Sequence, residues 1–564
     1  MKKFTKFLSV ALSATMLVSA FAGCDRTPDD GGEVDDNKTQ LRVSNYEGGY
    51  GRAWLDNAAE RFEEKYKGVS FEDGKMGVQI HVDSEKDGKA GEAFLSGISN
   101  TDFHVVVTTD VFYYDVVSKN LALDITDIMT SPLSEFGEEV TIESKMDGAL
   151  QSFYKTGQGK YYGVPHYEEF YGITYDKDLF NEKGFWRRAT PAVGVSDGSE
   201  WYAKPNKQGQ FTVTLSSGPD GVAGTNDDGL PATYDEFFAL CDYMVKNNVT
   251  PFTSSGLYIS MFTAMMYQLW ADYEGKANFQ KTVSFEGPMT VINAMADNGT
   301  FTTKTVEEFT TANAWEGYNQ AGKAAALDFA KRVVSKSSYY SSDMFSNDID
   351  NIRSQANYLG SSLLNKPVAF LVDGVWWENE AEDAGTYGLY EGEYGDSASR
   401  MERKFGLLPM PKATLAKVGE NSTTALKMSS LVFINKAAVE KNEATKEVAK
   451  KFMQFIHTDN ELQEFSVTTS ALRPFNYTVP ALKMANVSEF GKDLLATRND
   501  AKHDTVYMVS NNSLYINDVT KFDPAEAFRT VEGQDPIVLF KNNSSWTVKT
   551  IFDKTESYRK NLWK

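Results

Sequence analysis

The stretch LRVSNYEGGYGRAWLDNAAERFEEKY at residues 41–66 decides the fold class. Residues 41–46 alternate apolar and polar side chains, which is typical of a β-strand. The glycines of residues 47–51 predict a turn, and residues 54–66 place their apolar and aromatic side chains on one helical face. A strand, a glycine turn and an amphipathic helix in this order predict the first part of a parallel βαβ unit.

The same alternation continues downstream. Residues 78–82 (VQIHV) predict a second strand, residues 90–98 a helix, and residues 103–109 (FHVVVTT) a strand buried on both faces. Parallel strands that alternate with helices are covered by helices on both sides, so we expect a three-layer α/β lobe. The glycine turn at residues 48–51 lacks the third spaced glycine of a dinucleotide site and does not predict nucleotide binding.

The N-terminus has the features of a secretory signal peptide. Three lysines within residues 1–6 precede an apolar run over residues 7–21, and the small residues that follow lead to Cys24. The segment FAGC resembles a bacterial lipobox, which implies that residues 1–23 are removed and that Cys24 carries a lipid anchor. A buried N-terminal helix is the alternative reading. The charged, glycine-rich residues 24–40 predict a flexible tether.

Composition excludes several classes of partner. The chain has 564 residues, of which 41% are hydrophobic, so it can bury a large core in more than one domain. Its formal net charge of −21 argues against binding to nucleic acid or to an anionic lipid surface. If Cys24 is lipidated, Cys241 is the only other cysteine, so no disulfide is expected and the core must supply the stability.

Five further motifs follow in a fixed order. They are YGVPHYEEFYGITYDKDLFNEKG at 162–184, PATYDEFF at 231–238, VAFLVDGVWW at 368–377, GLLPMP at 406–411 and a helical pattern at 444–456. In the second motif, Thr233 and Glu236 have the spacing of a capping box. The order resembles that of bacterial extracellular solute-binding proteins of family 1, the sugar-binding lipoproteins of ABC importers. Each motif is weak alone, and together they cover about residues 41–480.

This resemblance implies a bilobal fold of the type II periplasmic-binding kind, with two three-layer α/β lobes joined by a hinge. The first lobe would take residues 41–165 and 427–475, and the second lobe residues 166–426 and 476–564. The resemblance also implies a lipid-anchored receptor on the extracytoplasmic face of the cell membrane. It would pass a carbohydrate to the permease subunits of an ABC transporter. We expect a monomer that needs no cofactor, and the aromatic content favours an oligosaccharide as ligand.

Candidate ligand residues follow predicted strands, because sugars stack on aromatic rings and hydrogen-bond to carboxylates, amides and guanidinium groups. The resemblance places a stacking tryptophan at Trp376, whereas Trp377 fits a core position better. Asp110 is either a ligand acid or a helix N-cap. Glu169 is favoured within a loop whose alternative role is a solvated hinge. The full set is Tyr46, Asp110, His166, Tyr167, Glu168, Glu169, Trp270, Asp373, Trp376, Trp377, Glu378 and Arg473.

Two long stretches, residues 187–229 and 287–321, make this chain longer than ordinary members of the family that it resembles. The first contains GPDGVAGTNDDG at residues 218–229, where oxygen ligands and glycines meet in the chemistry that calcium prefers. The spacing is not that of an EF-hand, and the bidentate glutamate is missing. A structural calcium ion and a polar turn without metal both stay open. The candidate ligands are Asp220, Asn226, Asp227 and Asp228.

Two other functions stay open. The chain could bind a non-sugar solute such as a peptide, or it could be a lipid-anchored glycoside hydrolase, because two carboxylates that face a sugar can cleave it. Glu168 or Glu169 with Asp373 or Glu378 would form the catalytic pair. Zinc and cysteine chemistry are not expected, since the five histidines form no paired helical motif and Cys241 lies in an amphipathic helix.

Overall fold

The computed structural model describes residues 34–522 and 524–564. It contains a five-stranded sheet with the order Val78–Glu85, Thr39–Tyr46, Val105–Thr108, Leu431–Ile434 and Val164–Pro165. The first three strands are parallel, and Leu431–Ile434 runs antiparallel to both of its neighbours. The parallel strands expected from residues 41–109 are therefore present.

A second sheet has four strands in the order Phe405–Leu407, Tyr171–Asp176, Val368–Gly374 and Thr250–Thr253. Val368–Gly374 pairs in parallel with Thr250–Thr253 and antiparallel with Tyr171–Asp176. Every residue of Val368–Gly374 is buried, as expected for a strand covered on both faces. Two such sheets with helices confirm the α/β class.

Helices accompany both sheets. We call the five-stranded sheet with its helices the first unit and the four-stranded sheet with its helices the second unit. The main helices of the first unit are Ala53–Tyr66, Gly91–Gly97, Tyr113–Ser118, Gly148–Tyr154, Glu443–Phe455 and Asp459–Thr469. Those of the second unit are Lys177–Lys183, Tyr234–Lys246, Ser260–Phe279, Ala321–Val333, Asn351–Leu363, Trp377–Asp383, Thr386–Tyr394, Glu489–Asn499, Pro536–Asn542 and Val548–Leu562.

The helix Ala53–Tyr66 buries the face that the sequence predicts. The ring of Phe62 lies 4.6 Å from that of Tyr66 and 5.2 Å from that of Phe452, measured between centroids. Burying one such aromatic side chain contributes about 1.5–3 kcal/mol. The buried residues of this helix are Trp54, Leu55, Ala58, Ala59, Phe62 and Tyr66.

Thr233 is the N-cap of the helix Tyr234–Lys246, and its hydroxyl accepts a hydrogen bond from the Glu236 N–H at 3.3 Å. In a full capping box the Glu236 carboxylate would accept from the Thr233 N–H. Here it accepts from the Ala232 N–H at 2.8 Å instead. Cys241 is fully buried in this helix, where burial raises the pKa of its thiol. A core position agrees with the interpretation that Cys241 is not a nucleophile.

Trp270 lies in the core of the second unit, contrary to the expectation that it contacts a ligand. Its side chain is fully buried in the helix Ser260–Phe279, and its indole N–H donates to the Gln320 side-chain oxygen at 2.7 Å. Its ring packs at right angles against Phe279, with centroids 5.3 Å apart. The indole ring is therefore packed inside the protein, and its N–H has a hydrogen-bond acceptor there.

The stretch after residue 487, which carries no recognisable motif, completes the second unit. The helix Glu489–Asn499 packs on the strand Phe405–Leu407, and the strand His503–Tyr507 pairs in parallel with Ser422–Leu426. The two long stretches noted in the sequence each contain a hairpin. These hairpins are Trp186–Arg187 with Tyr202–Ala203, and Met289–Met295 with Phe301–Val306.

The predicted signal peptide and the lipidation residue Cys24 lie outside the described residues. Within residues 34–522 and 524–564, no helix is both long enough and apolar enough to cross a bilayer. The strands of the first sheet come from residues 39–165 and 431–434, and those of the second sheet from residues 171–407. The exact lobe boundaries stay a prediction.

Phe370 offers a test of the second core. Its ring is fully buried and lies 5.2 Å from the ring of Phe237 and 5.5 Å from that of Phe252. Phe370→Ala should lower the free energy of unfolding by about 3–5 kcal/mol, because it leaves a cavity. Phe301→Ala, at a position that is 40% exposed, is the matched control and should change it by less than about 1 kcal/mol. Urea denaturation measures both, and equal effects would contradict this packing.

Candidate functional site

The two units are joined by a hinge of three chain segments: residues 166–170, 427–430 and 470–488. These segments are hydrogen-bonded to one another. The Lys427 N–H donates to the Glu169 carbonyl at 3.1 Å, and the Glu168 N–H donates to the Leu472 carbonyl at 2.9 Å. Because the three segments in which the chain crosses between the units are hydrogen-bonded to one another, the residues that follow them are held in fixed positions.

Arg473 anchors the hinge and does not face a ligand cavity, which corrects its role as a candidate ligand residue. Its buried guanidinium donates at 2.8 Å to the carbonyls of His166 and Ile456. A third bond, also 2.8 Å, joins it to His457 Nε2, while His457 Nδ1 lies 2.6 Å from the Met453 carbonyl. Burial lowers the pKa of Arg473 to about 9 and keeps that of His457 well below its ordinary value, so the histidine is a neutral acceptor.

Glu168 also belongs to the hinge. Its carboxylate lies 3.8 Å from the guanidinium of Arg498, which donates to the Arg473 carbonyl at 2.9 Å and to the Phe475 carbonyl. Burial raises the pKa of Glu168, and Arg498 opposes that rise. The Glu168 carboxylate therefore has a partner within the hinge, and its contact with a ligand stays a prediction.

His166 and Tyr167 are likewise buried, although they were candidates for ligand contact. The His166 ring packs 5.0 Å from that of Trp54, and the Tyr167 ring lies 4.0 Å from that of Tyr50, between centroids. Burial lowers the pKa of His166 well below its ordinary value. Within the loop that the sequence singled out, Glu169 lines the cavity described next, and Glu168 lines a separate, smaller cavity of ≈ 20 Å³ beside Arg498.

The cavity that Glu169 lines has a volume of ≈ 210 Å³ and opens beside the hinge. Its lining includes Glu169, Tyr171 and Lys427 near the hinge and Tyr267 and Gln268 of the helix Ser260–Phe279. The Glu169 carboxylate accepts a hydrogen bond from the Ser429 hydroxyl at 3.0 Å. The cavity therefore combines a carboxylate, an ammonium group and two phenol rings.

Asp110 lies two residues after the strand Val105–Thr108 and is joined to the cavity through Lys427. Its backbone is left-handed, with φ of 55°, and its carboxylate pairs with the Lys427 ammonium at 3.2 Å. The helix that follows begins at Tyr113 with Phe112 as its N-cap, so Asp110 does not cap it. A non-glycine residue held in this conformation is uncommon and is often found at functional sites.

Trp376 packs against Tyr171, which lines the cavity, whereas Trp377 is buried in the core. The Trp376 ring lies 5.2 Å from that of Tyr171 and 6.0 Å from that of Tyr50, between centroids. Trp377 is fully buried and packs 5.2 Å from Phe405. The two tryptophans thus divide as the sequence suggests, with the first half-exposed between the units and the second in the core.

Tyr46 joins the first sheet to this site. Burial, followed by the charges of Asp110, Glu380 and Glu169, raises the pKa of Tyr46 to about 12. Its hydroxyl therefore stays protonated and can donate a hydrogen bond at any physiological pH. The half-buried ring of Tyr46 places a phenol at the first-unit side of the site.

Asp373 and Glu378 are buried behind the site. Gln355 donates to Asp373 at 3.1 Å and to Glu380 at 2.9 Å, and burial together with the Glu380 charge raises the pKa of Asp373 to about 8. Glu378 pairs with Arg400 at 3.3 Å and accepts from the Ser488 hydroxyl. Both candidates therefore have internal partners.

The glycine turn of residues 48–51 touches the second unit directly. A side chain at Gly49 would meet the Trp376 ring at 2.8 Å, and one at Gly51 would overlap the Asp383 carboxylate. The Asn379 amide donates to the Gly49 carbonyl at 3.2 Å. The turn backbone thus lies directly against side chains of the second unit, and the φ values of 78° at Gly49 and 65° at Gly51 favour glycine.

The loop proposed for calcium closes on its own hydrogen bonds. The Asp227 carboxylate accepts from the Asp220 N–H at 3.0 Å, and Asp228 accepts from the Gly224 N–H at 2.7 Å. Burial raises the pKa of Asp227 to about 6. Across the described parts of the chain, no group of three or more His, Cys, Asp or Glu side chains is arranged to hold a metal ion. Calcium binding by this loop, with Asn226 as a further ligand, stays a prediction.

Sequence reasoning missed several residues of the cavity. Tyr171 directly follows one chain crossing, and Lys427 is the first residue of another. The sequence analysis predicts lobe boundaries at these two crossings, but it does not show which of their side chains reach the cavity. The helix positions Met261, Ala264 and Gln268 also line the cavity. Their i, i+3, i+7 spacing places them on one face of the helix, and Trp270 does not continue this spacing. This is the sequence signal that could have removed Trp270 from the candidates.

Two α/β units, joined by a hinge and enclosing a polar cavity with aromatic walls, define a bilobal binding protein. The model of a family described as bacterial extracellular solute-binding protein matches residues 57–492, more than half of the chain, and the chain belongs to this family. Membership implies an extracellular solute receptor that works with an ABC transporter. Comparison with curated protein sequences gives no match.

Solved structures agree on the fold. RafE in complex with raffinose has a TM-score of 0.53 at 11% identity and covers 93% of this chain and 100% of that chain; its apo form comes from Streptococcus pneumoniae. A chitin oligosaccharide binding protein has a TM-score of 0.52 at 14% identity and covers 93% of this chain and 99% of that chain. Maltose-bound MalE3 of T. maritima has a TM-score of 0.51 at 13% identity and covers 93% of this chain and 100% of that chain. This likeness confirms the bilobal type II fold.

Proposed function

We propose that this protein captures a carbohydrate in the cavity at the hinge and passes it to an ABC importer. The aromatic content of the chain favours an oligosaccharide as that carbohydrate. The observation that carries the proposal is the meeting of Trp376, Tyr171 and Glu169 beside Lys427. Aromatic rings stack on the C–H faces of sugars, while carboxylates and ammonium groups bind their hydroxyls. The sugars named for the three similar structures, raffinose, a chitin oligosaccharide and maltose, support this class.

The same geometry favours binding over hydrolysis. A glycoside hydrolase needs two carboxylates that face one sugar from both sides. Glu168 is paired with Arg498, Glu378 with Arg400, and Asp373 accepts its hydrogen bond from Gln355 behind the site. Asp373 and Glu378, which the sequence offers as second members of a catalytic pair, therefore already have partners within the protein.

The anchoring proposal rests on sequence. Cys24 would carry a diacylglyceryl group, and residues 24–40 would tether a monomeric receptor to the outer face of the membrane. Mass spectrometry of the N-terminal peptide from isolated membranes checks this proposal. A lipid-modified Cys24 is expected, and an unmodified chain that still begins at Met1 would contradict it.

A ligand screen tests the function. The chain from residue 25 onward contains every described residue, and its unfolding temperature should rise with at least one oligosaccharide in a panel of neutral, amine-bearing and acidic sugars. Chromatography of each hit should recover the sugar intact. Cleaved sugar would replace this proposal with a hydrolase, and stabilisation by peptides alone would replace it with a peptide receptor.

Trp376→Ala should weaken binding of the best panel sugar by about 10- to 100-fold, because a stacked aromatic contributes about 1.5–3 kcal/mol. The control is Trp315→Ala, at another half-buried tryptophan, which lies in the second long stretch and packs beside Lys560. Isothermal titration calorimetry measures both variants. Equal affinities for the two would remove Trp376 from the site.

Gly51→Ala should weaken sugar binding by at least about tenfold, because its methyl group overlaps Asp383 and opposes closure of the two units on the ligand. Gly51 has a φ of 65°, so backbone strain needs its own control. Gly74→Ala supplies it, since Gly74 has a φ of 81° and nothing within 4 Å of an added methyl group. If both variants bind alike, contact of this turn with the second unit plays no part in binding.

A further inference from the structure

A short segment of the second unit, residues 508–515, extends from the cavity towards the first unit, and we call it the C-terminal arm. Its first residue, Met508, lines the cavity, and the Met508 N–H donates to the Leu426 carbonyl at 2.9 Å. The Gln280 side chain donates to the Val509 carbonyl at 3.2 Å. The arm therefore begins at the cavity wall and is attached there to the second unit.

Further along the arm, Asn511 is hydrogen-bonded to the first unit. Its side-chain amide donates to the Ser152 carbonyl at 2.7 Å and to the Ser152 hydroxyl at 2.9 Å. The Tyr114 hydroxyl lies 3.3 Å from the Asn511 side-chain oxygen. Ser152 and Tyr114 belong to two helices of the first unit, Gly148–Tyr154 and Tyr113–Ser118. One amide side chain of the second unit thus contacts two helices of the first.

An aromatic contact accompanies these hydrogen bonds. The ring of Tyr515, at the end of the arm, lies 5.9 Å from that of Phe112 and 6.2 Å from that of Phe153, between centroids. Aromatic pairs at such separations attract each other. The Tyr515 hydroxyl donates to the Met508 carbonyl at 2.7 Å. The ring that packs on the first unit is therefore tied to the residue that lines the cavity.

The arm and the glycine turn join the two units at different strands of the first sheet. The glycine turn follows the strand Thr39–Tyr46, and its Gly49 carbonyl accepts from the Asn379 amide of the second unit at 3.2 Å. Phe112, which contacts the arm, follows the neighbouring strand Val105–Thr108. Both contacts lie outside the hinge segments, so a rotation that opens the units about the hinge separates them.

We propose that Asn511 is a positioning residue for ligand binding, which stabilises the closed arrangement of the two units without touching the ligand. The inference deepens the proposed function and rests on it. Met508 is among the residues that line the cavity, and Asn511 is not. Contacts that exist only between closed units raise the population of the closed arrangement, and the apparent affinity for a ligand scales with that population. The gain is therefore the same for every sugar that the closed cleft holds.

Asn511→Asp removes this contact with little change in shape. The variant replaces the donating amide group with a carboxylate oxygen, which cannot donate to the Ser152 carbonyl. Asn511 is exposed, so the core is not disturbed. The matched control is Asn247→Asp, because the Asn247 amide also donates to a backbone carbonyl, that of Tyr243 at 2.8 Å, but within the second unit.

The experiment uses the chain from residue 25 onward with raffinose, maltotriose, chitin trimer and the best sugar of the screening panel. Calorimetry measures affinity, and stopped-flow tryptophan fluorescence measures the association and dissociation rates. We expect Asn511→Asp to weaken every sugar that binds by one common factor, about 3- to 30-fold, because hydrogen bonds between the units are lost. The loss should appear mainly as faster dissociation. The urea midpoint without sugar should stay unchanged, and Asn247→Asp should bind as the wild type does.

The contrary outcomes can be told apart. Wild-type affinity and dissociation rates in Asn511→Asp would overturn the role of the arm while leaving carbohydrate binding intact. A factor that differs from sugar to sugar would mean that Asn511 touches the ligand, and an equal loss in Asn247→Asp or a lower urea midpoint in Asn511→Asp would mean a general loss of structure; each overturns the positioning role. If the wild type binds no sugar, the proposed function fails, and this inference fails with it.

Discussion

Hydrogen bonding among the three hinge segments is the constraint on which the rest of this structure depends. A chain that leaves one sheet for another loses its ladder partners, and its buried N–H and C=O groups need substitutes. Arg473 and Arg498 supply them by donating to the carbonyls of His166, Ile456, Arg473 and Phe475. Losing one of these donors would leave buried carbonyls unpaired, which costs about 1–3 kcal/mol for each.

The binding cavity is a consequence of that hinge. Glu169, Tyr171 and Lys427 reach it because they lie within or directly after the crossings, and Asp110 is held there by its ion pair with Lys427. Residues of both units thus meet at one place, and a ligand bound there can stabilise the closed arrangement by touching both. The glycine turn near Gly51 permits the close approach that closure requires.

Burial decides which charged side chains of this protein are fixed supports and which are accessible. Inside the hinge, charged side chains have partners at short range and serve as fixed supports, as Glu168 and Arg473 show. At the cavity wall, Asp110 and Lys427 are partly exposed and can exchange partners with a ligand. The same residue types therefore play different roles according to burial, which sets the cost of leaving a charge unpaired.

The sequence alone determined the α/β class, the buried face of the first helix and the family, because periodicity, strand ends and the order of motifs can be read along the chain. Binding by Trp376, Asp110 and Glu169 stays a prediction. Only the tertiary structure decided which polar residues face the cavity. Arg473 and Trp270 have suitable chemistry for a sugar, yet both are buried and satisfied by partners distant in sequence. Lys427 and Tyr171 became site residues through the packing of two sheets, and burial and pairing of this kind depend on contacts that no local pattern contains.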